Sequence, residues 1–487
     1  MAKIGAIDFA NNVERNRKAL RQHCLENGKQ VLEGETLDNI VAINNEIKTG
    51  TVEGQLKVEF KDLDGNYFAP TQYVNYGESA TLPDGYPKLD PDLLEFDYWA
   101  TSGGDSLDNV QRDILCLPQY KTKYDEATGQ RPTYLICYFD ETRLSPILQI
   151  GSIRTNTFVD WGDGGTAQRF TENTMTHTYE KAGLYTIKIY GDSYSLGNAS
   201  VGVFSPSEYG NALLKAYIGE NIVATSRMLY RSFSLNKVVL HKNCMTSNIL
   251  QSCNSIKSVV IPNGATKIDT YCFGTCVSLL NVVIPSSVTI MESSAFASCT
   301  SLVNITIPNN VMSIGTSCFS DCSSLKDVVL PNTISTIENQ LFYKNYNLRS
   351  IIIPTSVSRI ISGAFQACFA LSRIVLPNSI KHIDTSVFNT TYSLANIVLG
   401  SDFDCEFQAN YAPLSDECLI DIANKLKDNT GLTAKTLSFS LAQCKSRMKT
   451  IMLNEFGERV PYGTAGAVSV LEFIQNKNWT VAFSNVL

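Results

Sequence analysis

From residue 256 to residue 400 the apolar positions fall into columns that repeat at one interval. Leu279, Leu302, Leu325, Leu348, Leu371 and Leu394 are 23 residues apart, as are Phe273, Phe296, Phe319, Phe342, Phe365 and Phe388. Pro262, Pro285, Pro308, Pro331, Pro354 and Pro377 keep the same step. Three columns locked to a period in the twenties predict a solenoid, whose turns bury their apolar faces only by stacking. In the unit 278–300, Leu279, Val282 and Ile284 read as a short strand facing inward. Pro285 stops it, because proline gives no N–H to the ladder. Val288 and Met291 face inward next, and residues 293–297 form a short turn that buries Phe296. Leu214, Leu235 and Ile256, 21 residues apart, extend the leucine column upstream and make nine turns, the first two degenerate.

Other stretches carry other periods. Residues 11–26 are polar and free of Gly and Pro, and read as a helix that Gly28 ends. Residues 35–47 read as a second helix with Leu37, Ile40, Val41, Asn44 and Ile47 on one face. Neither has the apolar surface to fold alone, so residues 1–50 are read as a docking or self-association segment, with Leu37, Ile40, Val41 and Ile47 as its contact residues. Leu56, Val58 and Phe60 alternate with polar residues before Asp64-Gly65, a hairpin signal. Asp62, Asp64 and Asn66 have calcium-loop spacing, but the twelfth position is Tyr73 where such a loop needs Glu, so they read as a polar turn. In residues 184–190, Tyr185, Ile187 and Ile189 share one face of a strand that Gly183 introduces.

Beyond the repeat, Ser415 is placed to cap a helix whose apolar face is Leu419, Ile422, Ala423 and Leu426, with Gly431 as its end. A strand at 431–440, a helix at 465–475 and a strand at 476–483 complete residues 401–487. A solenoid end exposes unpaired strand groups, so this tail reads as a cap.

Composition narrows the function classes. The chain has 487 residues, 18% of them charged, and a net charge of −7. That length implies several modules, and mild acidity argues against a nucleic-acid binder. No apolar run approaches the roughly 20 residues that span a bilayer, and residues 1–10 lack the apolar core of a signal peptide. The 14 cysteines follow the repeat rather than a compact disulfide pattern. Cys253, Cys276, Cys299, Cys322 and Cys368 stand in one column, which lapses at Asn345 and Thr391. A single stacked column does not converge on a metal, so these read as buried free thiols in a protein folded under reducing conditions. His177 has no nucleophile or carboxylate at catalytic spacing and reads as a histidine tying one turn to another. No phosphate loop, triad or metal signature is present in the sequence, so no enzyme, cofactor or metal is expected.

Three resemblances sharpen this outline. The strand, the "DLDGN" turn at 62–66, "TQYVNYGESAT" at 71–81 and Tyr98-Trp99 resemble the Listeria–Bacteroides repeat over residues 55–122. That implies a β-grasp-like module. "WGDG" at Trp161–Gly164 with His177, Tyr179, Gly183 and Tyr185 resembles the polycystic-kidney-disease-type immunoglobulin-like domain over 133–200. That implies a non-catalytic β-sandwich. "F-x-x-C-x-x-L-x-x-V-x-I-P", recurring through 213–400, resembles the BspA-like leucine-rich repeat, and the tail resembles the cap that follows such repeats. The fold class expected is mainly β and multidomain: helical segment, β-grasp-like module, immunoglobulin-like β-sandwich, leucine-rich repeat solenoid and α/β cap.

The expected interaction surface is the outward row beside each inward strand position: Val260, Val283, Thr306, Val329, Ile352, Val375 and Val398. So apolar a row is unusual on a solvated face. Its neighbouring column is polar: Ser258, Asn281, Asn304, Asp327, Ser350, Arg373 and Asn396. The module set resembles that of virion fibre or decoration proteins of gut bacteriophages. It implies a homo-oligomer that joins other virion proteins through its N-terminus and meets a bacterial surface glycan or protein receptor. The alternative is a bacterial cell-surface adhesin that binds host protein or glycan. Neither reading involves nucleic acid or membrane insertion.

Overall fold

The computed structural model describes residues 55–484 apart from short stretches at 154–155, 192–193, 198–202, 206–210 and 224. Leu37, Ile40, Val41 and Ile47 lie outside the described residues.

Residues 55–122 form a four-stranded sheet of β1 (Leu56–Phe60), β2 (Gln72–Val74), β3 (Leu94–Thr101) and β4 (Ile114–Thr122), in the order β2-β1-β4-β3. The outer pairs are antiparallel and the central pair, β1 and β4, is parallel, with Val58 opposite Ile114. One face buries Val58, Phe60, Val110 and Cys116 as a small core of its own. The turn after β1 is held by Asp62, whose Oδ1 accepts from the N–H of Asp64 at 2.8 Å and of Asn66 at 2.9 Å. It is a polar turn, and among the described residues no group of acidic, His or Cys side chains is arranged to hold a metal.

The next strands do not form a separate bead. β5 (Thr133–Phe139) pairs on one side with β7 (Gly183–Tyr190) and on the other with β8 (Leu213–Tyr217). β8 in turn pairs in parallel with β9 (Lys237–Val239), the strand of the next solenoid turn. One six-stranded sheet therefore runs from the second module into the repeat. A second sheet, built on β6 (Ile147–Ile153), packs behind it. The buried cluster that starts at Leu135 continues without a break to Trp479. The modules read from the sequence as units in series share one core here, because a strand edge left open by the second module is the template on which the first solenoid turn pairs.

The solenoid follows the sequence pattern with one shift. At the first turn the buried inward positions are Leu213, Ala216 and Ile218, while Leu214 is half-buried. The register Ala216 to Val238 makes that step 22 residues, not 21. Downstream the strands pair in parallel at 23-residue register, as in Val282 on Val259. The phenylalanine column is a stack, with successive ring centroids 5.0, 5.6, 5.9, 5.7 and 6.1 Å apart and nearly parallel planes. Each short turn beside it places two residues in the left-handed region. Ser294 and Ser298 have φ of 58° and 60°, and their counterparts repeat this with glycine only at Gly363. Non-glycine residues pay roughly 1–2 kcal/mol for that conformation. Stacking offsets it, since these N–H groups donate to the next turn, as Ser294 does to Thr316 at 2.9 Å and Ser298 to Ser320 at 2.8 Å.

All thirteen described cysteines are buried and unbridged. Those of the column donate S–H to the carbonyl 24 or 26 residues earlier: Cys253 to Leu229, Cys276 to Leu250, Cys299 to Phe273, Cys322 to Phe296 and Cys368 to Phe342, at 3.1–3.2 Å. Burial pushes the thiols of Cys276, Cys322 and Cys368 up to about 12. Thr391 fills its gap in the column by donating to Phe388 at 2.8 Å. Asn345 does not: its side-chain amide is buried with neither atom partnered.

The tail closes the last turn. α1 (Asp416–Lys425) begins at Ser415, whose hydroxyl accepts from the N–H of Cys418, and it ends at Leu426 rather than at Gly431. Its Cys418 sulfur accepts from the N–H of Ile397 at 3.2 Å, so the helix covers a strand group that has no further turn to pair with. The strand Phe407–Ala409, the strand Lys435–Ser440 and the strand Trp479–Ser484 form a parallel sheet. α2 (Leu441–Thr450) was not expected from the sequence, and α3 (Val470–Asn476) starts five residues later than predicted, at the cap Ser469.

Candidate interaction face

The outward row is the best candidate surface, and the chain itself covers the start of it. Val260 and Val283 are 5% and 1% exposed. They belong to a buried cluster with Tyr217 and Val239 from earlier turns and Leu63, Leu94, Leu117 and Tyr120 from the first module. The expectation of one solvent-facing stripe is corrected here. The 55–122 sheet lies on the strand face, using the apolar row as its seat, because a β-branched row is the surface on which a second sheet packs best.

Polar contacts fix the orientation. Lys215 meets Asp90 at 2.8 Å, and the Tyr217 hydroxyl donates to the same carboxylate. Lys237 pairs with Asp64 of the polar turn, and the Asn263 N–H donates to the Tyr98 hydroxyl at 3.2 Å. Gly103 and Gly104 come closest. A Cβ on Gly104 would lie 2.7 Å from the Ser286 nitrogen, and one on Gly103 3.0 Å from the Thr306 methyl. Reading along the module, Asp90, Tyr98 and Gly104 meet successively later turns. β3 therefore runs along the solenoid axis and the module ends beside Thr306.

Past that point the row is uncovered. Thr306, Ile352, Val375 and Val398 are half-buried and Val329 is 51% exposed. The flanking column changes character too. Burial pushes the Asp327 carboxyl up, opposed by Arg349 and Lys326. Arg373 has its Nε and one Nη buried without a hydrogen-bond partner. Burial also raises the carboxyl of Asp421 on α1, opposed by Lys425 and Arg373.

His177 takes part in no such surface. Its Nε2 lies 2.8 Å from the Asp163 Oδ2, and its ring stacks on Trp161 at 4.7 Å. The Tyr179 hydroxyl donates to the Trp161 carbonyl at 3.0 Å. The arrangement ties the Asp163 turn to the strand that follows, which is the structural role expected for it.

One surface was missed. Tyr346, Phe369 and Tyr392 stack at 4.9 and 5.8 Å, and Tyr411 meets Tyr392 edge-on. Phe369 and Tyr392 are 43% and 57% exposed. The signal was present, since each aromatic follows the cysteine column by one residue at the 23-residue step. Phe369 has a ring on each face, Tyr346 on one side and Tyr392 on the other.

No curated protein matches the chain. A leucine-rich repeat protein from Bacteroides ovatus is 18% identical, with a TM-score of 0.36, over 51% of this chain and 66% of that one. One from Eubacterium ventriosum is 20% identical, with a TM-score of 0.32, over 37% and 57%. A leucine-rich cell surface protein from Faecalibacterium prausnitzii is 17% identical, with a TM-score of 0.21, over 43% and 90%. Residues 215–303 and 290–410 match the family description of a BspA type leucine rich repeat region in six copies.

Proposed function

We propose that this chain is a non-enzymatic binding protein whose macromolecular partner seats on the uncovered part of the strand face, from Thr306 to Val398. One observation carries the reading. The same face already buries a folded module on its earlier turns, then continues with the same apolar row open and Val329 51% exposed. Copies in an oligomer would gain by effective concentration what single sites lack. Replacing Val329 and Ile352 by Lys tests it. The double variant should fold normally and lose binding to whole cells or envelope fractions; unchanged binding would refute it.

The finer assignments belong to the same proposal. The β2-β1-β4-β3 order with a parallel centre supports a β-grasp-like first module. The Trp161, Asp163, His177 and Tyr179 contacts support an immunoglobulin-like second one. Two settings are compatible with the modules: a virion fibre or decoration protein attached through residues 1–50, and an adhesin on a bacterial cell surface. The column of reduced, buried thiols favours assembly in a reducing compartment, as for a virion protein. Peptide mass spectrometry of purified particles and of cell-surface fractions separates the two. Presence on cells with absence from particles would discard the virion setting.

A further inference from the structure

The cap ends in an open strand edge. The strand Trp479–Ser484 is the outer member of the parallel sheet that it forms with Lys435–Ser440 and Phe407–Ala409. One side pairs with Lys435–Ser440. Among the described residues no other backbone or side-chain group bonds to its main chain. The outer side therefore presents a row of N–H and C=O groups on which a further strand can pair.

Edges of this kind are normally blunted by charge, proline, a bulge or short length. The other long edge strand, β3, carries two of these devices: its register shifts between Phe96 and Tyr98, and it bears Glu95 and Asp97. Trp479–Ser484 carries none. It is six residues long, pairs without a register shift, and contains no charged residue and no proline. Lys445 of α2 stands over the Phe483 ring at 5.6 Å. That is the helix-covered side of the sheet, outside the plane in which a strand would add.

The side chains identify the strand that fits. Trp479, Val481 and Phe483 face the core, Trp479 buried and the other two half-buried. Thr480 and Ala482 are exposed. Consider antiparallel pairing with a second copy about a twofold axis at Val481. Trp479 then lies opposite Phe483 of the second copy, Val481 opposite its own counterpart, and Thr480 opposite Ala482. Residues directly opposite share a face and pack as pairs. The half-buried apolar side chains thus cover one another, while the small exposed ones stay in water. The strand is complementary to itself and has no charge with which to repel its copy.

We propose that Trp479–Ser484 is the interface of a homodimer, in which two three-stranded sheets join through this antiparallel pair into one of six strands. The edge is separate from the open part of the solenoid face. Pairing there gives each particle two such faces, the condition for a gain by effective concentration.

Sedimentation of the full chain tests this. A six-residue strand pair is a small interface, so a reversible dimer should form at chain concentrations of about 1–100 µM. Thr480→Lys with Ala482→Lys sets like charges directly opposite each other and should weaken dimerisation at least about tenfold. Both sites are exposed, so thermal unfolding of the monomer should not change. Glu at the same two positions should act alike. An equimolar mixture of the Lys and Glu chains should restore a mixed dimer, which damage to the fold would not allow. A natural chain that stays monomeric up to about 100 µM overturns the proposal. So does an oligomer that both charged variants retain, because its interface lies elsewhere, and so does a Lys–Glu mixture that stays monomeric.

Discussion

Asn345→Cys should stabilise the protein. Asn345 occupies the thiol column between Cys322 and Cys368, and it is fully buried. Cys322 and Cys368 each satisfy their S–H on a carbonyl 26 residues earlier, at 3.1 Å, and the same step from position 345 leads to the Phe319 carbonyl. The asparagine uses no such bond: its amide nitrogen and oxygen both lack partners. An unsatisfied buried polar group costs about 1–3 kcal/mol. A thiol of similar size needs little hydration and gains a weak bond, so the exchange should return roughly 1–3 kcal/mol. For a body of some 200 residues each kcal/mol corresponds to roughly 2–4 °C. Thermal unfolding under reducing conditions should therefore shift upward by several degrees, with slower hydrogen exchange at Phe342 and Leu348. Cys322→Asn should move both readouts the opposite way. An unchanged or lower midpoint for Asn345→Cys would refute the reasoning, by showing that the amide is satisfied in solution.

Three further outcomes follow from the contacts. Gly104→Val places a Cβ 2.7 Å from the Ser286 nitrogen at a residue with φ of 69°; it should release the first module, seen as faster proteolysis between 105 and 125 while solenoid unfolding is unchanged. Val283→Lys buries an ammonium in the module seat, where Val283 is 1% exposed, and should cost several kcal/mol in urea unfolding, whereas Val329→Lys should cost under about 0.5 kcal/mol. The Asp163 carboxyl is held low, first by the Gly165 N–H; burial opposes this, and His177 adds to the lowering. A folded value below the unfolded value of about 3.9 contributes stability above that pH and loses it as pH falls through the folded value. Asp163→Asn should therefore flatten the loss of stability below pH ~4, read from urea midpoints at successive pH; parallel curves would contradict the assignment.

The solenoid was legible because its determinants are local and repeated. Leucine, phenylalanine and proline columns specify inward positions, a stack and a stop, and each turn needs only its neighbour to satisfy them. Ser415 as a cap and the Asp62 turn were legible for the same reason: a side chain meets backbone within a few residues. Where the period broke, reading failed, as at Leu214, which the pairing of Ala216 with Val238 displaces in favour of Leu213. The left-handed residues were also hidden. Ser294, Ser298 and Lys344 give no glycine signal, and only hydrogen bonds to the next turn hold them there.

What the sequence alone determined is the inward half of this protein: the repeat, its buried columns and the presence of a cap. It also marked the outward valine row as too apolar for open solvent. Only the tertiary structure decided what lies on that row. Val260, Val283 and Val329 look alike in sequence, yet two are sealed under a sheet and one is 51% exposed. The difference arises from contacts such as Asp90 with Lys215, 125 residues apart, and Asp64 with Lys237, 173 residues apart. Periodicity fixes which way a side chain points, because that depends on neighbours along the strand. What meets it depends on how distant segments pack, and no local pattern encodes that.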